Sequence, residues 1–219
     1  MSDREAAGLV ASARREIEAA TGGNRFMDLL ETGDLPRERL VWLAVEEYRI
    51  VRSDRRSFAL LAARHPDPPS GDLFLELAQG EGRALSLLDD FAAALGESEK
   101  NLSARDPLPF AQVYPAHLAQ RAAFGTATEV ALAMLVNLEE WGAYCARTAR
   151  ALHARYGFTD EAVAFFSFFA EPPPGFGERA LAVVAAGLDA GDDPVEAVRC
   201  ARLMHAYETA FWGALAEGL

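Results

Sequence analysis

Tyr207-Glu208-Thr209-Ala210-Phe211-Trp212 sets one carboxylate inside an aromatic cluster near the end of the chain. Residues three and four apart share a helix face, so Met204, Glu208, Phe211 and Trp212 lie together, with His205 beside them. Removing an ionised carboxylate from water is costly unless something pairs with it. Glu208 is therefore either turned to solvent at a helix edge or held inside for chemistry. In the second case desolvation raises its pKa and suits it to acid/base work.

Outward from this stretch, helical periodicity continues through nearly the whole chain, in Ala-, Leu-, Glu- and Arg-rich segments of good propensity. Alternating strand patterns are nearly absent. The final helix is expected over 193–216, opening at Asp193-Pro194-Val195-Glu196 with proline in the first turn. Earlier helices are expected over 4–20, 25–31, 36–64, 73–95, 107–124, 125–156, 160–170 and 177–190. Their punctuation is chemical. Pro36 suits a first turn, Thr126 or Thr128 can cap, Gly157 can stop a helix, Thr159 can cap, and Pro172-Pro173-Pro174 forbids continuation. Gly80 and Gly82 are expected to disturb their helix, and 96–106 reads as a polar linker. With no repeat or low-complexity tract, residues 1–219 read as one all-α domain of about eight to nine helices.

Apolar residues make up 51% of the 219, enough for a substantial core. No apolar run approaches the roughly 18 residues of a membrane span, and the polar start Met1-Ser2-Asp3-Arg4-Glu5 has no apolar signal core behind it. The net charge of −12 argues against nucleic acid and anionic membranes as partners, since a phosphate surface needs a basic one. Cys145 and Cys200 lie far apart in helical patterns, which fits small buried hydrophobes in a reduced cytoplasm.

Three more stretches can carry chemistry. In Trp42-Leu43-Ala44-Val45-Glu46-Glu47-Tyr48-Arg49-Ile50-Val51, adjacent acids point about 100° apart, so one is expected to face solvent and the other the interior. Glu47 shares a face with Leu43, Ile50 and Val51 and is the inward choice; surface pairing with Arg49, Arg52 or Arg55 is the plain alternative. Asn137, Trp141 and Tyr144 form a stripe at i, i+4 and i+7, with Glu140 beside it, and serve either as core or as a ligand wall. Phe165-Phe166-Ser167-Phe168-Phe169 is too aromatic for one core face, and some of its rings can wall a cavity for a planar heterocycle. Tyr114 is a lone phenol before Pro115. The histidines His65, His117, His153 and His205 form no metal-ligand spacing, and there is no phosphate-cradling glycine loop or nucleophile elbow. No cofactor and no metal are expected.

Three segments together resemble the TenA (thiaminase II-like) family: Asn24-Arg25-Phe26-Met27-Asp28-Leu29-Leu30-Glu31-Thr32-Gly33-Asp34-Leu35-Pro36, Trp42 to Ile50, and the terminal Tyr207-Glu208-x-x-Phe211-Trp212. The resemblance implies a haem-oxygenase-like all-α fold, a homodimer or homotetramer, and hydrolysis of a C–N bond in thiamin or an aminopyrimidine. By position it implies Glu208 as catalytic acid, Phe211 as pocket wall, Glu47 as the carboxylate gripping the pyrimidine amine, and Tyr114 as a pocket phenol. Ile50 falls where a pocket tyrosine is usual, Trp141 where another sits, and Phe165 or Phe166 replaces a third. Asn137 falls where the family's thiolate nucleophile sits, and asparagine forms no such covalent adduct. Cys145, two helical turns further on, is a poor substitute. Relatives of this fold that bind two irons use Glu-x6-His and His-x3-Asp-x2-His; here these read Glu47-x6-Asp54 and Met204-x3-Glu208-x2-Phe211, without the imidazoles. No histidine lies in the first 64 residues, where the fold's haem ligand would stand. The expected function is therefore C–N hydrolysis on a small planar amine without the usual cysteine. The alternatives are a non-catalytic binding protein or a cofactor-free or metal-dependent oxidase of the same fold.

Overall fold

Side-chain oxygens and glycines close the helices where the sequence expects them. Asn24 accepts from the Met27 N–H at 3.1 Å to open α2 (Arg25–Thr32), and Gly33 ends it with a left-handed φ of 84°. Thr126 and Glu129 form a reciprocal capping box at the head of α7 (Ala127–Tyr156), which settles the choice between Thr126 and Thr128. Gly157, at φ 72°, stops it. Asp193 accepts from the Val195 N–H at 2.8 Å at the start of α10 (Pro194–Leu215).

The computed structural model describes residues 3–19 and 22–219. These form ten α-helices and a 3₁₀ turn, with no strand among the described residues. The remaining helices are α1 (Asp3–Glu18), α3 (Arg37–Arg64), α4 (Ser70–Ala94), α5 (Glu99–Ala104), α6 (Val113–Phe124), α8 (Ala164–Phe169) and α9 (Phe176–Asp189). The expected end of the first helix at Ala20 lies outside the described residues. Three expectations are corrected. The 96–106 linker contains α5, because Ser98 caps it through the Asn101 N–H and Leu102 plugs into the core. Gly80 and Gly82 leave α4 unbroken, since packing along α3 overrides a small propensity cost. The 160–170 segment starts with turns and becomes helical only at Ala164, with Thr159 holding the Ala162 N–H at 3.3 Å.

The long helices α3 and α7 are the axis of the molecule: α4 lies along α3, while α9 and α10 lie along α7. Two apolar clusters result. One gathers Phe26, Leu43, Phe91, Phe165, Phe166, Phe211 and Trp212, and the other Phe58, Leu61, Phe74, Leu118, Val130, Val184 and Met204. Tyr114 packs against both. Gly142 lets the end of α8 approach α7 closely, because a Cβ there would meet the Phe169 and Ala170 carbonyl oxygens at 3.1 Å. That approach positions the last rings of α8 beside the seam between the clusters. No helix among the described residues is long and apolar enough to cross a membrane.

Candidate functional site

A cavity of about 520 Å³ opens at this seam. Ile50, Val51 and Phe211 reach it from the first cluster; Phe58, Met134 and Met204 reach it from the second. Of the residues expected at a site, Glu47, Tyr114, Asn137, Trp141, Glu208 and Phe211 all line it, brought together from α3, α6, α7 and α10.

Phe166 does not line it. It is fully buried, stacked edge-on against Phe91 at 5.0 Å and Phe165 at 5.1 Å, because its position on α8 points into the first cluster. Phe168 and Phe169, two and three residues on, present the aromatic wall instead. Tyr144 also turns away, donating to Glu140 at 3.1 Å in a smaller pocket of about 160 Å³. Trp141 stays in the main wall with its ring 6.0 Å from Trp212 and 6.2 Å from Phe169.

The polar groups of the wall are mostly acceptors. Glu47 is 1% exposed and Glu208 9%, and each has a buried oxygen, Oε1, without a hydrogen-bond partner. Asn137 donates its amide to the Ala133 and Ala201 carbonyls at 2.8 and 3.3 Å, which leaves its buried Oδ1 without a partner. Burial pushes the Glu208 carboxyl up to about 8, with the Glu140 charge adding to it. Burial also holds Glu47 well above the carboxylate range, reinforced by Asp54, Glu208 and Glu46. The expectation that one of the two adjacent acids faces solvent is corrected: Glu46 is fully buried too, but on another face. It accepts from the Leu108 N–H at 2.8 Å and from Gln112.

Two acids absent from the expected site also line the cavity. Asp54 is buried on α3 beside Tyr114; burial drives it up to about 8, with the Tyr114 hydroxyl opposing the rise. Glu81 on α4 keeps part of its surface open to the cavity, and desolvation with the Asp54 and Glu47 charges holds it well up. The Glu47-x6-Asp54 spacing was visible, but only as an incomplete iron motif. Glu81, between Gly80 and Gly82, carried no signal. Among the described residues no three His, Cys, Asp or Glu side chains are arranged to hold a metal ion.

Cys145 is buried in the first cluster outside the cavity wall, and burial pushes its thiol well above its ordinary range. Glu208 has a second outlook: it also lines the smaller pocket, where His205 meets Glu140 at 3.1 Å.

Comparison with solved structures shows the fold. The chain is similar to a TenA homologue from P. horikoshii OT3, with TM-score 0.72, 14% identity, and coverage of 99% of this chain and 98% of that one. It is equally similar to a domain of unknown function with a heme oxygenase-like fold from Shewanella denitrificans OS217, with TM-score 0.72, 14% identity, and coverage of 98% and 92%. A putative TenA-like thiaminase from Sulfolobus solfataricus P2 matches with TM-score 0.65, 12% identity, and coverage of 98% and 95%. The all-α fold is thus haem-oxygenase-like. Comparison with curated protein sequences finds no match. The family model described as TENA/THI-4/PQQC matches residues 15–167, well over half of the chain. With that match and this fold, the chain belongs to the TENA/THI-4/PQQC family.

Proposed function

We propose that this protein binds a small planar amine, of which an aminopyrimidine is the favoured type, and hydrolyses a C–N bond in it. The observation that carries this reading is the meeting of Glu47 and Glu208 in one cavity, each with a buried oxygen awaiting a donor. Trp141, Phe168, Phe169 and Phe211 supply flat apolar surface for a ring. The likeness in fold to a protein named as a TenA-like thiaminase supports the reaction class.

The wall holds no Cys, Ser, Thr, Lys or His among the described residues. With no thiol, aliphatic hydroxyl or amine in the wall, the nucleophile in this proposal is water. Glu47 accepts the amine N–H. Glu208, held protonated near neutrality by burial, gives its proton to the departing nitrogen as the C–N bond breaks. The new C–O bond comes from water, whose proton returns to Glu208. Release of the amine product from aminopyrimidines, followed by chromatography, tests this; turnover that vanishes in Glu208→Gln is the expected result. The missing nucleophile favours a second reading, a binding protein that keeps the pocket without chemistry. Ligand-induced thermal stabilisation with no product would establish that one.

A further inference from the structure

The polar wall of the cavity has more acceptor capacity than a single amine uses. Glu47 and Glu208 suffice for one amino group. Asp54 stands seven residues beyond Glu47 on α3, two helical turns or about 10 Å along the axis, and lines the same cavity. Its side chain is 4% exposed, and its Oδ1 is buried without a partner. Glu81 approaches it from α4.

The basic groups nearby are engaged elsewhere or exposed. Arg83 lies over the Phe168 ring, 5.8 Å from its centroid, on an exposed position. Glu76, at the rim, is already paired with Arg179 at 2.8 Å, so a built ion pair exists there and not at Asp54. Tyr114, beside Asp54, is a phenol kept neutral by burial and supplies no positive charge. An independent neutral group points the same way. Asn137, 4% exposed, has its amide protons fixed on two backbone carbonyls, so its remaining oxygen accepts only from something in the cavity.

We propose that Asp54 and Glu81 form a second cation subsite, so that the ligand of this cavity carries two separated amino groups, one held near Glu47 and Glu208 and the other between Asp54 and Glu81. This rests on the reading that the cavity takes an amine, and it narrows the class to diamines, either linear or with a ring between the two nitrogens. Buried carboxyls without a cation are best protonated; a second ammonium seated between Asp54 and Glu81 ionises that pair, and each proton lost there is exchanged for a charge-assisted hydrogen bond. Binding of a diamine therefore releases protons to the buffer.

Isothermal titration calorimetry of the full chain, with α,ω-diaminoalkanes of graded length against monoaminoalkanes of equal length, tests the subsite. The diamine of best length is expected to bind roughly 30-fold more tightly than its monoamine. It is also expected to release more protons, read by repeating the titration in buffers of different ionisation enthalpy. Asp54→Asn and Glu81→Gln are each expected to abolish that preference. Glu81→Gln, at a partly open position, gives the same readout should Asp54→Asn disturb folding. Equal binding of mono- and diamine, or a preference that survives both substitutions, overturns the subsite. Diamine binding by a protein that releases no amine from aminopyrimidines would overturn only the hydrolytic reading, and absence of all amine binding would overturn both.

Discussion

Glu46 and Glu47 are neighbours on α3, both closed off from solvent, and they live in opposite circumstances. Glu46 is claimed by the Leu108 N–H and Gln112, so it ties α3 to the segment that opens α6. Glu47 faces other acids across a cavity and has an oxygen with no donor. Burial alone therefore does not mark a functional carboxyl; the account of its hydrogen bonds does. A satisfied buried acid holds the fold, whereas an unsatisfied one calls for a partner, which the proposed function supplies as a ligand.

The sharpest test of that contrast lies on the unsatisfied side. Glu208→Gln is expected to lower amine turnover at least about 100-fold, with no fall in Tm, because a neutral isostere removes the proton donor and spares the packing. On the satisfied side, Glu46→Ala is expected to cost about 1–3 kcal/mol, read from denaturant midpoints, because it strands the Leu108 amide. Glu47→Gln, one residue on, is expected to leave stability unchanged or raised and to abolish ligand-induced thermal shifts. Equal loss of stability in Glu46→Ala and Glu47→Gln would break the contrast.

The same difference carries a pH signature. Asp54 and Glu208 move from ordinary values of 3.8 and 4.5 to about 8 on folding. Across that window the folded chain binds more protons than the unfolded one, so the stability these two groups contribute falls as pH rises and is lost above about 8. Denaturation at stepped pH checks this, and Asp54→Asn combined with Glu208→Gln is expected to make the slope shallower, with Glu47 and Glu81 keeping the remainder. The smallest effect is expected at Cys145→Ala: a loss of about 1 kcal/mol from trimmed packing, with turnover unchanged, because the thiol lies outside the cavity.

The fold was legible because its signals are local. Thr126, Gly157 and Asp193 act within one helical turn of themselves, and their caps form where the pattern places them; Asn24 and Gly33 bound α2 by the same local chemistry. The inward face of α10 was legible for the same reason, from the three- and four-residue spacing of Met204, Glu208 and Phe211. Asp54 and Glu81 were not. Asp54 sits among Arg52, Arg55 and Arg56, where a charge reads as solvated surface, and only the crossing of α3 with α4 brings it beside Glu81. Phe166 failed likewise: four rings on six residues leave the rotation of α8 undetermined until Gly142 fixes how it lies on α7.

The terminal-helix carboxyl has a back door. Glu208 forms part of the partition between the large cavity and the smaller one that holds His205, Glu140 and Tyr144. An occupant that plugs the front chamber leaves the rear side of that partition untouched. On the proposed hydrolysis, a proton reaching Glu208 through the rear chamber would not have to wait for the product to leave, so recharging the acid and discharging the product could proceed in either order.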